Sequence, residues 1–277
     1  MAYQYETLDV VVDGRLAIVT INNPPVNVIT MPLYMDLMAI TQELENDPDL
    51  SVVLFKSADP DFFIAHFDVE LILSFPIDEP AEPEAELNDF HQLCERLRTM
   101  DKVTIAQIEG RIGGGGSEIA SSMDMRFGVN GTTIASQMEV PLGILPGGSG
   151  TQRLPAIVGR ARAMEIILGA QDLDAETAES WGYLNRALPA EEIDAWVGNL
   201  ARRISRYPVA AVRLAKQSIN AAQADPAEGL REEAYLFQQL LRTDDAQSKM
   251  KEFMNIGGQT REGELKVDEL VDQLTFD

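Results

Sequence analysis

Hydrophobic and polar positions along the chain change period several times, and each period predicts a kind of element. "LDVVVDGRLAIVTIN" has two β-rich arms around Asp13–Gly14, a dipeptide typical of a tight hairpin turn. "PLYMDLMAITQELENDP" instead repeats its apolar residues at helical spacing, so we expect a helix that ends near Pro48. The residues on the apolar face of this helix are Leu33, Leu37, Ile40 and Leu44.

The alternation of strands and helices continues to about residue 205. "LSVVLFKSA" predicts a buried strand, "LNDFHQLCERLRTM" a second amphipathic helix, and "KVTIAQIEG" a strand that leads into a run of glycines. This order favours an α/β fold in which helices cover the sheets. From about Ala190 the pattern is helical throughout. We therefore predict an α/β domain over residues 1–205 and a smaller helical region over 206–277.

Residues 76–89 differ in composition from the rest of the chain. Their sequence, "PIDEPAEPEAELND", contains six acidic residues, three prolines and no basic residue. Such a segment cannot bury enough apolar surface to pack, and it predicts a solvated, mobile surface loop. A role as a lid requires that its flanks lie beside the active site.

Composition and charge restrict the partners and the compartment. The net charge of −23 argues against nucleic acid and anionic membrane surfaces, and a polyanionic ligand would need a local basic patch. Cys94 is the only cysteine, which excludes an intramolecular disulfide and a cysteine-rich metal site. Neither a secretory signal nor an apolar run of ~18 residues is visible, so we expect a cytoplasmic protein that does not enter membranes.

The run "RIGGGGSEIA", residues 111–120, places four glycines before a carboxylate. It is not a P-loop, and Glu118 stands where the last glycine of a dinucleotide fingerprint belongs. Glycine lets a backbone approach a ligand closely. A helix that begins just after the run would direct free N–H groups and the positive end of its dipole at that ligand. These features favour an oxyanion hole.

A second carboxylate gives Glu118 a chemical context. An acidic residue in a first helical turn is favoured by the helix dipole, so Glu118 alone is a weak signal. Glu139, however, lies in the apolar, turn-rich segment "ASQMEVPLGILPGGSGTQRL", which has no basic residue before Arg153. An apolar pocket raises the pKa of a carboxyl group and suits it to general acid–base catalysis. Two carboxylates at an oxyanion hole would fit proton transfer next to a carbonyl group.

Several of these motifs resemble the enoyl-CoA hydratase/isomerase (crotonase) family. They are "INNPPVNVIT", "IAHFDV", "AQIEGRIGGGGSEIASSMDMRF" and the long stretch that begins "EVPLGILPGGSGTQRLPAIVGRARAMEIILGAQ". The resemblance covers most of residues 8–255. It implies an α/β spiral of repeated ββα units with a C-terminal helical region that forms trimers, often paired as hexamers. The apolar run "EAYLFQQLL" in that region is consistent with a trimer or a hexamer.

The resemblance also implies a reaction and a set of site residues. Glu118 and Glu139 match the two glutamates of the family's hydratases, which activate one water and hydrate a trans-2-enoyl-CoA to a 3-hydroxyacyl-CoA. The backbone N–H groups of Phe67 and Gly115 would stabilise the thioester enolate. No separate cofactor is implied, because coenzyme A is part of the substrate, and Lys249 and Lys251 are the candidates for its phosphates. The remaining candidates for substrate contact are Ala65, His66, Asp68, Gly114, Pro141, Leu142 and Gly143.

Alternatives to a hydratase remain open at this point. His66 and Phe67 are bulky where the family has small residues, so Phe67 either narrows the acyl pocket or closes the oxyanion hole. The second case would leave a non-catalytic, CoA-binding oligomer, and an isomerase or another enolate reaction is the enzymatic alternative. A serine–histidine triad is poorly supported, because neither His66 nor His91 lies in a nucleophile motif. We expect His91 to be structural, and no metal-ligand cluster is present in the sequence.

Overall fold

The computed structural model describes residues 3–83, 85–221 and 227–274. Its strands form a six-stranded sheet and a four-stranded sheet. The strands of the larger sheet, in chain order, are β1 (Leu8–Asp13), β2 (Leu16–Ile21), β3 (Val52–Ser57), β5 (Val103–Ile108), β7 (Met125–Val129) and β10 (Arg186–Leu188). Those of the smaller sheet are β4 (Phe62–Ile64), β6 (Arg111–Gly113), β8 (Ile134–Ser136) and β9 (Leu173–Asp174).

Helices follow the strand pairs and then dominate the C-terminal part of the described chain. The first seven are α1 (Met31–Asn46), α2 (Val69–Leu73), α3 (Asp89–Thr99), α4 (Gly114–Ser121), α5 (Gly150–Val158), α6 (Arg160–Gly169) and α7 (Ala175–Trp181). The others are α8 (Ala190–Ser205), α9 (Val209–Ala221), α10 (Ala227–Leu241), α11 (Asp244–Asn255), α12 (Arg261–Glu264) and α13 (Val267–Val271). None of these described helices is both long enough and apolar enough to cross a membrane.

The chain winds through both sheets in repeated units. Each of the pairs β3–β4, β5–β6 and β7–β8 adds its first strand to the larger sheet and its second strand to the smaller one, and helical structure follows each pair. The added strands are parallel to their neighbours within each sheet. The expected spiral of ββα units is therefore confirmed.

The local signals near the N-terminus are confirmed as well. β1 and β2 pair antiparallel with Asp13 opposite Leu16, and Gly14 has the positive φ of 61° that the turn needs. α1 carries a proline in its first turn and ends before Pro48. All four residues of its predicted apolar face, Leu33, Leu37, Ile40 and Leu44, are buried.

The C-terminal helices pack in two places. α8 buries Ile193 and Val197 against the larger sheet. α10 and α11 contribute Leu241 and Phe253 to a separate core that also contains Val69 and Ile72 of α2. The division at residue 205 stays a prediction.

Most of the apolar face predicted in "EAYLFQQLL" packs within its own chain. Leu241 is fully buried, and Phe237 and Leu240 pack against the same core, whereas Leu236 is 38% exposed. This segment therefore gives less support to a trimer than its sequence suggests.

Candidate active site

One cavity of about 580 Å³ contains both predicted catalytic glutamates. Glu118 and Glu139 line it together with Phe67, Gly114 and Gly115. Most of the remaining wall is apolar and comes from α1, α2, α3, α10 and the segment around residues 138–148. Cavities of this size and character are typical of small-molecule sites.

The glycine run allows the backbone of residues 113–116 to pack closely against that of residues 64–67. A Cβ atom on Gly113 would lie 2.6 Å from the Ala65 carbonyl oxygen, and one on Gly116 would lie 2.6 Å from the Ile64 carbonyl oxygen. The run therefore seats the start of α4 directly on residues 64–67. The helix begins inside the run, at Gly114, rather than just after it as the sequence predicted. The missing side chains of Gly113 and Gly116 leave room for protein backbone, whereas Gly114 and Gly115 line the cavity.

This packing makes the two predicted oxyanion donors neighbours. A Cβ atom on Gly115 would lie 3.5 Å from the Phe67 nitrogen. Gly115 is the second residue of α4, so its N–H has no intrahelical acceptor. Ile29 forms an isolated bridge with Phe67: its N–H donates to the His66 carbonyl oxygen, and its carbonyl oxygen accepts from the Asp68 N–H. The Phe67 N–H donates to no acceptor among the described residues. Two backbone N–H groups are thus available side by side at the cavity wall.

Glu118 is held by the backbone of a neighbouring loop. Its Oε1 accepts hydrogen bonds from the N–H groups of Gly148 at 2.8 Å and Gly150 at 2.7 Å. Burial raises the pKa of Glu118 well above its usual value, and the charges of Glu139 and Glu233 raise it further. The two amides lower this pKa but do not cancel the increase.

Glu139 is also buried, and its carboxylate accepts from a side chain rather than from backbone amides. It precedes the 3-10 turn Val140–Leu142, and its two carboxylate oxygens lie 3.0 and 3.1 Å from the side-chain nitrogen of Gln137. Burial raises the pKa of Glu139 to about 7, because its own backbone N–H, Gln137 and His66 offset only part of the desolvation. The site therefore holds two buried carboxyl groups whose pKa values are both raised.

His66 forms a buried pair with a residue of the C-terminal region. Its Nε2 lies 2.9 Å from Oε1 of Glu264, and its Nδ1 lies 2.8 Å from the Phe67 carbonyl oxygen. Burial lowers the pKa of His66, but Glu264 outweighs it and the net shift is upward. The pKa of Glu264 is lowered in turn, although burial alone would raise it. Both pKa shifts favour the charged forms, so His66 and Glu264 form an ion pair. No spacing in the sequence links these two residues.

The other predicted contact residues divide into two groups. His66, Gly114 and Leu142 line the cavity, whereas Ala65, Asp68, Pro141 and Gly143 do not. Asp68 caps α2 by accepting from the Glu70 N–H, and it also accepts from the side chain of Gln259. Gly143 has a φ of 80° and packs closely against Ala246, so its role is to let α11 approach.

The cavity lining includes acidic residues of the segment 76–89 and one arginine. Lys249 and Lys251 lie on α11 and do not line the cavity. Arg242 is the one lysine or arginine among the described lining residues, and it donates to the Glu79 carbonyl oxygen. Pro76, Ala81 and Glu82 line the cavity too, so the acidic segment meets the condition for a lid. Sequence reasoning missed Arg242, because nothing in its spacing marks it.

Phe67 forms part of the cavity wall. Its ring packs edge-on against Tyr34 and Phe90, with centroid distances of 6.0 and 5.8 Å. Gly115 lines the same cavity. This placement supports a role of Phe67 in shaping the pocket over one in closing the oxyanion hole. Within the described part of the chain, no group of three His, Cys, Asp or Glu residues is arranged to hold a metal ion.

Comparison with known proteins adds independent information. A family model described as enoyl-CoA hydratase/isomerase matches residues 12–259. The "Probable enoyl-CoA hydratase" of Mycobacterium tuberculosis is 31% identical over 252 residues, which are 90% of this chain and 95% of its own. The short-chain-enoyl-CoA hydratase of Clostridium acetobutylicum is 31% identical over 244 residues, 87% of this chain and 92% of its own. A crystal structure from Streptomyces avermitilis is 37% identical with a TM-score of 0.90, covering 97% of this chain and 98% of the other.

Proposed function

The chain belongs to the enoyl-CoA hydratase/isomerase family, and we infer from this membership and from the site that it is an enoyl-CoA hydratase. It is then a hydro-lyase that adds water across a trans-2-enoyl-CoA to give a 3-hydroxyacyl-CoA. The observation that carries the proposal is that two buried glutamates line one cavity with two neighbouring backbone amides. Coenzyme A enters as part of the substrate, and the proposal needs no separate cofactor.

The amides of Phe67 and Gly115 are assigned to the thioester oxygen. When water adds to C3, negative charge develops on that oxygen as the enolate forms. Fixed N–H donors in a buried site stabilise such charge, because they need no reorganisation during the reaction. The loss of one donor of this kind costs about 10²–10³-fold in kcat in enzymes that depend on it.

The two glutamates take different positions relative to that oxygen. A Cβ atom on Gly114 would lie 3.2 Å from Oε1 of Glu139, so this carboxylate is next to the Gly115 donor. Oε2 of Glu118 lies instead toward Gly148 and the ring of Phe90. C2 is one bond from the thioester carbonyl carbon, and C3 is two bonds away. We therefore assign Glu139 to the proton at C2 and Glu118 to the water that attacks C3.

The reaction needs one proton on the pair. The water loses a proton to Glu118 as its oxygen bonds to C3, and Glu139 gives a proton to C2, so the pair carries one proton before and after turnover. In the free protein burial raises the pKa of both glutamates and so favours a proton on the pair. Turnover requires that this proton is on Glu139 and that Glu118 is deprotonated. The titration behaviour belongs to the pair rather than to either residue.

The proposal is tested by the loss of conjugated absorbance when the protein is mixed with a panel of trans-2-enoyl-CoA thioesters. Glu118→Gln serves as the matched inactive control. A wild type that leaves every thioester unchanged would refute hydration. Conversion of a 3-enoyl-CoA to a 2-enoyl-CoA without addition of water would identify an isomerase, the family's other activity.

The assignment of the two glutamates has its own test. Exchange of the α-protons of butyryl-CoA in D₂O needs the group at C2 and the oxyanion hole, but no attack at C3. We expect Glu139→Gln to abolish this exchange and Glu118→Gln to retain it. The opposite result would exchange the two roles and leave the hydratase proposal intact.

We propose that the protein assembles as a homotrimer or a pair of trimers. Support comes from the family resemblance and from apolar side chains exposed on α9, where Leu214 is 52% and Ile219 69% exposed. Light scattering that gives a monomer at micromolar concentration would contradict the assembly. A cytoplasmic location stays a prediction.

A further inference from the structure

Glu233 is a third buried carboxylate beside the proposed catalytic pair, and the mechanism above gives it no role. It lies on α10, and its Oε2 accepts a hydrogen bond from the Thr151 N–H at 2.9 Å and another from the Thr151 hydroxyl group. Its Oε1 lies 3.3 Å from Nε2 of His91 on α3, and both side chains are fully buried. Burial of an unpaired carboxylate costs free energy, and these hydrogen bonds offset that cost.

Thr151 connects Glu233 to Glu118. It is the second residue of α5, so its N–H has no acceptor within that helix, and Glu233 supplies one from outside. The amides that donate to Oε1 of Glu118 belong to Gly148 and Gly150, within the three residues that precede Thr151. Ser149, between them, has a φ of 125°, a conformation that needs support from its surroundings.

We propose that Glu233 is a positioning residue for Glu118: by holding Thr151 it fixes the amides of Gly148 and Gly150, and through them the orientation of the Glu118 carboxylate. The inference rests on the proposed function, in which Glu118 acts on water. His91 is the second contact that holds Glu233 in place.

The charge of Glu233 provides a second readout. The charged and titratable groups around Glu233 are its hydrogen-bond partner His91 on α3, Glu118 on α4, Arg153 on α5, and Glu139 before the 3-10 turn. Its negative charge disfavours a second negative charge on Glu118, which raises the pKa of that residue. Removal of the charge lowers the pKa of the Glu118–Glu139 pair, so the pH profile of kcat should move to lower pH.

The experiment compares Glu233→Ala, Glu233→Gln and a control, Asp124→Asn. Asp124 is a carboxylate away from the cavity that accepts from the Thr104 N–H at 2.8 Å and pairs with Lys216 at 2.9 Å, so its loss tests general destabilisation. Each variant is measured for kcat, KM, the pH profile of kcat, and hydrogen exchange of the peptide that contains residues 147–151.

Glu233→Ala removes the anchor, and a displacement of about 1 Å at a catalytic group costs about 10²-fold in rate. We expect kcat to fall by about that factor while KM changes less than about threefold. Exchange at residues 147–151 should become at least about tenfold faster. Glu233→Gln keeps an acceptor for Thr151, so it should restore most of kcat and still shift the pH profile of kcat to lower pH. Asp124→Asn should change neither kcat nor this exchange.

Unchanged exchange at residues 147–151 in Glu233→Ala would overturn the proposal. An equal loss of kcat in Asp124→Asn would overturn it too, since the effect would then be general. If Glu233→Ala does not fold, Thr151→Ala, which removes the hydroxyl donor to Glu233, takes its place, and unchanged exchange at residues 147–151 in that variant would overturn the proposal. A wild type without hydratase activity would refute the proposed function, whereas the exchange measurement would still decide whether Glu233 holds the loop.

Discussion

Gly115→Ala tests the oxyanion hole with a single methyl group. The added Cβ would lie 3.3 Å from Cδ1 of Ile29, 3.3 Å from Cβ of Phe67 and 3.5 Å from the Phe67 nitrogen. The methyl group would therefore stand beside both donors, where the thioester oxygen must approach. Interference with a donor of this type costs about 10²–10³-fold in kcat, or about 2.7–4 kcal/mol.

The same substitution should leave the fold nearly unchanged in stability. Gly115 lies in the first turn of α4 and does not have a positive φ, so alanine can adopt its backbone conformation and gains at most about 0.5–1 kcal/mol from helix propensity. The two tight contacts oppose this gain, so we expect the free energy of unfolding to change by less than about 1 kcal/mol. Gly169→Ala is the matched control: Gly169 ends α6, and a Cβ atom there would meet nothing within 4 Å. Its kcat should equal that of the wild type.

The assay is hydration of crotonyl-CoA, or of whichever thioester the wild type prefers, with thermal unfolding measured in parallel. A folded Gly115→Ala variant with a kcat within about threefold of wild type would refute the assignment of this amide as a donor. Equal losses in Gly115→Ala and Gly169→Ala would show that helix substitution in general, rather than the oxyanion hole, controls turnover.

Three further predictions follow from the same geometry. Glu118→Gln and Glu139→Gln should each lower kcat by at least ~10²-fold. In steady-state kinetics the double variant should lose far less activity than the two single losses multiplied together, because the two residues act as a unit. Activity should fall as pH decreases through about 7, because burial raises the pKa of Glu139 to about 7 and also raises that of Glu118, so protonation of the pair removes the base that the reaction needs. A pH–rate profile flat from pH 5 to 8 would contradict this. Phe67→Ala keeps the backbone N–H, so turnover should persist with a preference for bulkier acyl groups across a thioester series, and a folded, inactive variant would contradict a wall-forming role.

Elements with strong local signals could be predicted from the sequence. The hairpin at Asp13–Gly14 and the face of α1 follow from turn chemistry and from a period of 3.6, and both depend on neighbouring residues only. The motif that contains Glu118 and Glu139 could be related to a known family for the same reason, since its residues are close together in the chain. Both glutamates line the cavity.

The surroundings of these groups could not be predicted in the same way. The pair of His66 with Glu264 joins residues 198 positions apart, and that of His91 with Glu233 joins residues 142 positions apart. No periodicity or spacing encodes such contacts, because they exist only after the C-terminal helices have packed. The start of α4 was also misplaced, since glycine has a low helix propensity and close packing against residues 64–67 overrides it.

These distant pairs change the meaning of the predicted boundary at residue 205. Glu264 holds His66 next to the oxyanion donor, Glu233 holds the loop that anchors Glu118, and Phe237 and Arg242 complete the cavity wall. All four lie beyond residue 205 in the chain. The proposed catalytic groups therefore come from the α/β spiral, while part of the environment that sets their charge and orientation comes from the helical region. If that region also forms the trimer contacts, as we propose, then assembly and the electrostatics of the active site depend on the same helices.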